Sequence, residues 1–251
     1  MLEEKITVAG SAPARSAVAP AAAREDAITA RDVSKRYGAH WAVSRATFRV
    51  AQGSCFLIIG QNGAGKSTLL RIVATLNRPT LGELSYFGEA PRHDHAAVRH
   101  RIGLLSPRLG LYEDLTAAES LLTFGRLSTR PSSDRIHELL GLVGLNPSLA
   151  TPVRLFSQGM RKRLALACLA AQDPDLVLLD EPYGALDPAG MTLVDNMVRR
   201  WQRQGATVVI ATHHVERGAE LADDGISLDR GRIVAKGSAE ELTRFAAARF
   251  H

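Results

Sequence analysis

The sequence predicts an α/β fold: a parallel sheet with flanking helices, a small antiparallel β part, and an inserted α-helical subdomain. Three observations lead there. From Ile28 onward short β-rich runs alternate with helical ones, the pattern that builds βαβ units. A glycine-rich turn at residues 60–65 joins an apolar run to an apolar helix. One stretch, residues 93–150, interrupts the alternation and reads mostly helical.

The elements follow in order. β-rich runs at 46–50 and 55–59 lead through the glycine-rich turn into a helix over 66–76, and a strand over 83–87 comes next. In the helical stretch, Leu121, Leu122 and Phe124, then Ile136, Leu139, Leu140 and Val143, recur at helical spacing; the inserted subdomain is expected over about 105–160. A strand at 176–179, a helix at 189–204, a strand at 207–211 and a two-strand ending at 226–228 and 232–235 complete the pattern. With no internal repeat, one such unit spans residues 27–251. Residues 1–26 read as a disordered tail, because 10–24 are rich in Ala, Pro and Ser and lack periodic apolar positions. A secretory signal is disfavoured: Glu3 and Glu4 occupy its basic region, while Pro13, Arg15 and Pro20 break its apolar core.

Composition narrows the class. At 251 residues, with 45% hydrophobic and 23% charged residues, the chain is expected to be an ordinary globular protein. Its apolar runs fall well short of the roughly 20 residues a membrane helix needs. The net charge of +5 raises nucleic acid as a partner, but the charge is scattered and aromatic content is only 5%. The small clusters Arg161-Lys162-Arg163 and Arg199-Arg200 lack interleaved aromatics and read as solvated or membrane-facing surface, so no nucleic-acid partner is expected. Cys55 and Cys168 each sit inside an apolar run and are expected as buried, reduced thiols.

The chemistry concentrates in two segments. Gly60-Gln61-Asn62-Gly63-Ala64-Gly65-Lys66-Ser67-Thr68 matches the P-loop pattern between strand and helix. Its glycines let backbone N–H groups curl around phosphates, and the following helix points its positive end at them. Lys66 is expected to reach the β- and γ-phosphates of ATP, and the Ser67 hydroxyl to ligate Mg²⁺. Leu176-Val177-Leu178-Leu179-Asp180-Glu181 is a buried-strand run ending in two carboxylates, where open α/β folds place ligands. Asp180 suits Mg²⁺, and Glu181 suits general-base work on the attacking water.

A third segment decides among P-loop NTPases. Leu155-Phe156-Ser157-Gln158-Gly159-Met160 resembles the signature of the ATP-binding cassette (ABC) ATPases, and Ser157 stands 23 residues before Asp180. Ser157 can cap the following helix and, with the Gly159 N–H, form an anion site. The resemblance implies that this site serves the γ-phosphate held by a second copy of the chain, so that two chains sandwich two nucleotides. Gly184-Ala185-Leu186-Asp187 looks like the D-loop, which crosses that dimer interface. Thr212-His213-His214 places His213 as the switch histidine on the γ-phosphate, and Tyr37 fits the aromatic that stacks on adenine. A metal site at the two histidines is disfavoured, since neighbours on a strand point to opposite faces.

The segments 110–121 and 214–218 look like those of small bacterial exporters, with the haem-exporter ATPases of cytochrome c maturation and the ABC-2 type exporters as the nearest resemblance. That likeness implies ATP hydrolysis on the cytoplasmic face of the cell membrane, coupled to separate transmembrane permease subunits that dock near residues 106–116. A soluble or regulatory ABC ATPase without a membrane partner is the alternative. One position departs from the family: Pro107 stands where relatives place the glutamine of the Q-loop. Proline has no side-chain amide and no N–H, so reduced or differently coupled hydrolysis is expected. His93, His95 and His100 lie among arginines without a metal-binding spacing and read as a solvated loop.

Overall fold

The computed structural model describes residues 25–89, 96–108, 110–125, 131–147 and 150–250. The tail segment 10–24 and His93 and His95 lie outside the described residues, while His100 is exposed. Asp26, placed with the tail by composition, instead opens the first strand.

Two sheets share the molecule. Strands β1 (Asp26–Tyr37), β2 (His40–Ala51) and β4 (Leu81–Tyr86) form an antiparallel sheet in the order β2-β1-β4. The larger sheet also contains β3 (Cys55–Ile59), β5 (Ile102–Leu105), β6 (Leu176–Asp180), β7 (Thr207–Thr212), β8 (Asp224–Asp229) and β9 (Arg232–Ser238), in the order β5-β6-β7-β3-β8-β9. Its pairings are parallel except for β8 with β9. Around it run α1 (Lys66–Val73), α2 (Ala96–Arg99), α3 (Ala117–Gly125), α4 (Ser133–Leu142), α5 (Gln158–Ala171), α6 (Pro188–Arg203), α7 (Val215–Ala219) and α8 (Ala239–Phe250).

The central strands read as unbroken apolar runs because both faces are covered. Within β3, Cys55, Leu57 and Ile59 join the core beneath α5 and α6, while Phe56 and Ile58 face α1 and the antiparallel sheet. The period of two sends alternate residues into two cores on opposite sides of one sheet. Parallel register then aligns the strand ends: Ile59 lies beside Thr212, and Asp180 beside Ala211. The C-terminal ends of β6, β7 and β3 thus meet in one row, and this row carries the chemistry.

Three sequence expectations are corrected here. The stretch that reads as mostly helical, 93–150, contains an unexpected strand: β5, four residues long, pairs with β6. Gly103 permits this, since a side chain there would strike Leu169 and Pro174 of the packed α5 region. The chain does not end on two strands, because α8 follows; Ser238 and Glu241 cap it reciprocally, Ser238 N–H donating to Glu241 Oε2 at 2.8 Å. The strand pairing with Ala51 and Tyr86 begins well before residue 46, in β1, whose register shifts around the left-handed Asp32 hide its alternation.

Candidate active site

Gly65 caps α1 with φ of 105°, a conformation open to glycine, and a Cβ there would lie 2.4 Å from the Ala42 carbonyl. Gly60 is equally constrained, at φ of 150° with the Leu228 carbonyl against it. The turn is buttressed from two sides, by β2 and by the β8–β9 connection, where Gly231 N–H donates to the Ala64 carbonyl at 2.9 Å. Gln61, Asn62 and Gly63 are exposed at its crest, Ala64 and Lys66 are buried, and Ser67 and Thr68 are half-buried.

Lys66 turns back into the loop. Its Nζ donates to the Gly60 carbonyl at 2.7 Å and the Gln61 carbonyl at 3.3 Å, and lies 3.2 Å from Glu181 Oε1. The Ser67 hydroxyl donates to Asp180 Oδ1 at 2.9 Å. Asp180 is only 2% exposed, and burial raises its carboxyl pKa against the opposing bond from Ser67. Glu181 continues past β6 in the left-handed region, at φ of 49°. That conformation costs about 1–2 kcal/mol for a residue with a side chain, so its surroundings must hold it. Its Oε2 accepts from His213 Nδ1 at 2.8 Å, from the Thr212 hydroxyl at 3.2 Å and from His213 N–H at 3.3 Å. A carboxylate only accepts, so the His213 proton sits on Nδ1.

The structure therefore brings together the P-loop, Asp180, Glu181 and His213. Tyr37 lies apart at the tip of the β1–β2 hairpin, about half exposed, with its hydroxyl accepting from Asn77 Nδ2 at 2.9 Å. Ala42 of the same hairpin rests on Gly65, which keeps this tip beside the loop. Ser157 caps α5 by accepting from Met160 N–H at 3.2 Å, with Gly159 in the first turn. Asp187 caps α6 by accepting from Gly190 N–H at 2.7 Å. No hydrogen bond or ion pair among the described residues joins Ser157, Gly159 or Asp187 to the P-loop of the same chain.

The histidine geometry differs from expectation. Strand β7 ends at Thr212, so His213 and His214 lie beyond it and do not alternate faces; their rings sit 4.3 Å apart. His213 faces Glu181, while His214 packs edge-on against the buried Tyr183 ring. Lys162 also contradicts its reading as solvated surface. It is 7% exposed, and its Nζ donates to the Glu181 carbonyl at 2.9 Å and to the Gly184 carbonyl at 2.8 Å. Burial pushes its pKa down to about 8, despite the carboxylates of Glu181 and Asp180 nearby. Thr212 is the other residue at the site that motif reading passes over. Both cysteines are free and buried, and burial pushes their thiol pKa values up.

Residues 43–184, more than half of the chain, match the family model of the ABC transporter. The chain belongs to that family. Among the relatives of this ABC ATPase is the daunorubicin resistance ATP-binding protein DrrA3 of Streptomyces coeruleorubidus, 39% identical over 87% of this chain and 70% of its own length. The Nod factor export ATP-binding protein I of Ralstonia nicotianae is 36% identical over 86% of this chain and 68% of its own length. Among solved structures, an ATP-binding subunit of an ABC transporter superposes with a TM-score of 0.78 at 27% identity, covering 89% of this chain and 95% of that one. A dimeric ATP-binding cassette in a post-hydrolysis state, bound to ADP and Pi, gives 0.76 at 25% identity, covering 84% of this chain and 98% of that one. The chain is thus the ATP-binding subunit of an ABC transporter, with the P-loop NTPase core of that family. No helix among the described residues is long and apolar enough to cross a membrane.

Proposed function

We propose that this ABC ATPase is the ATP-hydrolysing motor of an exporter, working as a dimer of two such chains beneath separate transmembrane permease subunits on the cytoplasmic face of the membrane. One relative is named for export and another for drug resistance, and a structural neighbour is dimeric, which supports the reading. Neither relative's name concerns haem, so the proposed role is export with the cargo left unspecified. The observation that carries hydrolysis is the Glu181 carboxylate, held between His213, Thr212 and Lys66 at the edge of the P-loop.

In this reading the loop 60–68 cradles the phosphates with its N–H groups and Lys66 neutralises β- and γ-phosphate oxygens. Tyr37 stacks on adenine. The residues also fit Mg²⁺. Ser67 and Asp180 present hard oxygen donors to one point, and a cation offsets the burial of the Asp180 charge. When bound, Mg²⁺ supplies charge neutralisation at the phosphate oxygens. Glu181 takes a proton from water as its oxygen bonds to the γ-phosphorus, and the bridging P–O bond breaks to release ADP. His213 orients Glu181 and faces the transferring group, joined by Ser157 and Gly159 of the partner chain; Asp187 belongs to the interface between the two.

The test is purification of the tagged chain from native membranes at low salt, mass spectrometry of its companions, and an ATPase assay of the complex. Recovery of a polytopic membrane protein with stimulated hydrolysis supports the motor. Recovery of ribosomes or DNA, or of the chain alone from well-solubilised membranes, contradicts it in favour of a soluble or regulatory ATPase.

A further inference from the structure

Four charged side chains are buried among the described residues: Lys66, Asp180, Asp195 and Lys162. The first two belong to the phosphate site. Asp195 is held by Arg217, whose Nη2 donates to it at 2.6 Å. Lys162 has no carboxylate within ion-pair distance among the described residues; its ammonium is directed at two backbone carbonyls, those of Glu181 and Gly184. Burying an ammonium is costly, and a space-filling position would be served better by an apolar chain of the same length.

We propose that Lys162 is a positioning residue for Glu181: it ties the first turns of α5 to the loop after β6 and thereby aims the Glu181 carboxylate. This rests on the reading of Glu181 as general base. Glu181 is left-handed, and its carbonyl accepts from Lys162 Nζ and from Gly184 N–H at 3.3 Å. A single ammonium therefore pins both ends of the turn 181–184. The neighbouring Arg163 adds a second tie, its Nη2 lying 3.8 Å from Asp187 Oδ1 at the start of α6. Without the Lys162 bonds, the strained turn is free to relax toward the right-handed region, and the carboxylate swings off His213 and Thr212. Ser157 and Gly159 stand five and three residues earlier on the same helix. Whatever engages the exposed start of α5 is thus connected mechanically to this chain's own Glu181.

The experiment compares full-length wild type, Lys162→Met and Lys162→Arg, measuring kcat and KM for MgATP, binding of a fluorescent ATP analogue, and the thermal midpoint. Methionine keeps the length and packing but donates nothing; arginine keeps the donors. The expected result for Lys162→Met is a kcat lower by about 10- to 100-fold, the cost of a misplacement on the order of 1 Å, with nucleotide binding within about twofold. Lys162→Arg recovers most of that rate. The proposal is overturned if Lys162→Met turns over at the wild-type rate. It is also overturned if binding and kcat fall together and arginine does no better than methionine, which assigns Lys162 to folding alone. A wild-type chain that binds ATP and never hydrolyses it, even with its membrane partner, overturns the functional reading itself and this proposal with it.

Discussion

Strands β5 and β6 lie side by side, Leu105 against Leu179, and both run out into one cleft lined by Pro107, Lys162, Glu181 and Gly184. At the end of β6 nearly every polar atom is engaged: Asp180 by Ser67, the Glu181 carboxylate by His213, Thr212 and Lys66, and its carbonyl by Lys162. At the end of β5, among the described residues, the side chains of 106–108 make a single hydrogen bond, from the Ser106 hydroxyl to the Arg108 carbonyl at 2.6 Å. Pro107 adds neither donor nor N–H. The difference separates a carboxylate held from several elements, the one proposed to activate water, from a segment whose described side chains bond only within it. The resemblance leads one to expect a glutamine at Pro107, and this chain offers no side-chain amide there.

Breaking the held end has the largest expected effect. His213→Ala removes the shortest hydrogen bond to the Glu181 carboxylate and lowers kcat by about 10- to 100-fold, with binding of MgATP retained; steady-state kinetics beside equilibrium binding of a fluorescent analogue checks this. Tyr37→Ala leaves Glu181 untouched and acts on binding instead. Losing a base stack worth roughly 1–3 kcal/mol raises KM for ATP by about 5- to 150-fold while kcat holds. A fall in kcat at unchanged KM would move Tyr37 out of the adenine site. Sharpening the loose end has the smallest effect. Pro107→Gln restores an amide and shifts basal or partner-stimulated hydrolysis by the worth of about one hydrogen bond, ~1 kcal/mol or roughly fivefold. If both rates stay at wild type, the missing amide does not set the coupling.

Much of this contrast is legible in the sequence, for physical reasons that also mark where legibility stops. Strands buried on both faces read as continuous apolar runs, so β3, β6 and β7 are located to within a residue. The P-loop and the Asp180-Glu181 pair follow from the strands they terminate. β1 is hidden because its polar residues and the bulge near Asp32 break the alternation. β5 is hidden because four residues beside helical segments leave no period to count. The start of α8 does carry a signal, the capping pair Ser238 and Glu241, directly after β9. Lys162 carries none: in sequence it is one of three successive basic residues, Arg161-Lys162-Arg163, and only the turn of α5 buries it while leaving its neighbours half-buried. The grip on Glu181 is likewise invisible, since it joins the ends of separate strands through backbone register.

The most direct test of the account is the steady-state ATPase rate of Glu181→Gln beside that of wild type, in complex with the membrane partner, with MgATP binding measured on the same samples. Glutamine keeps the size of the side chain and loses the base. The account predicts a fall in hydrolysis of about 100- to 10,000-fold with nucleotide binding intact. Turnover within a few-fold of wild type would contradict it, because the carboxylate that His213, Thr212 and Lys66 hold in place would then not be the group that activates water.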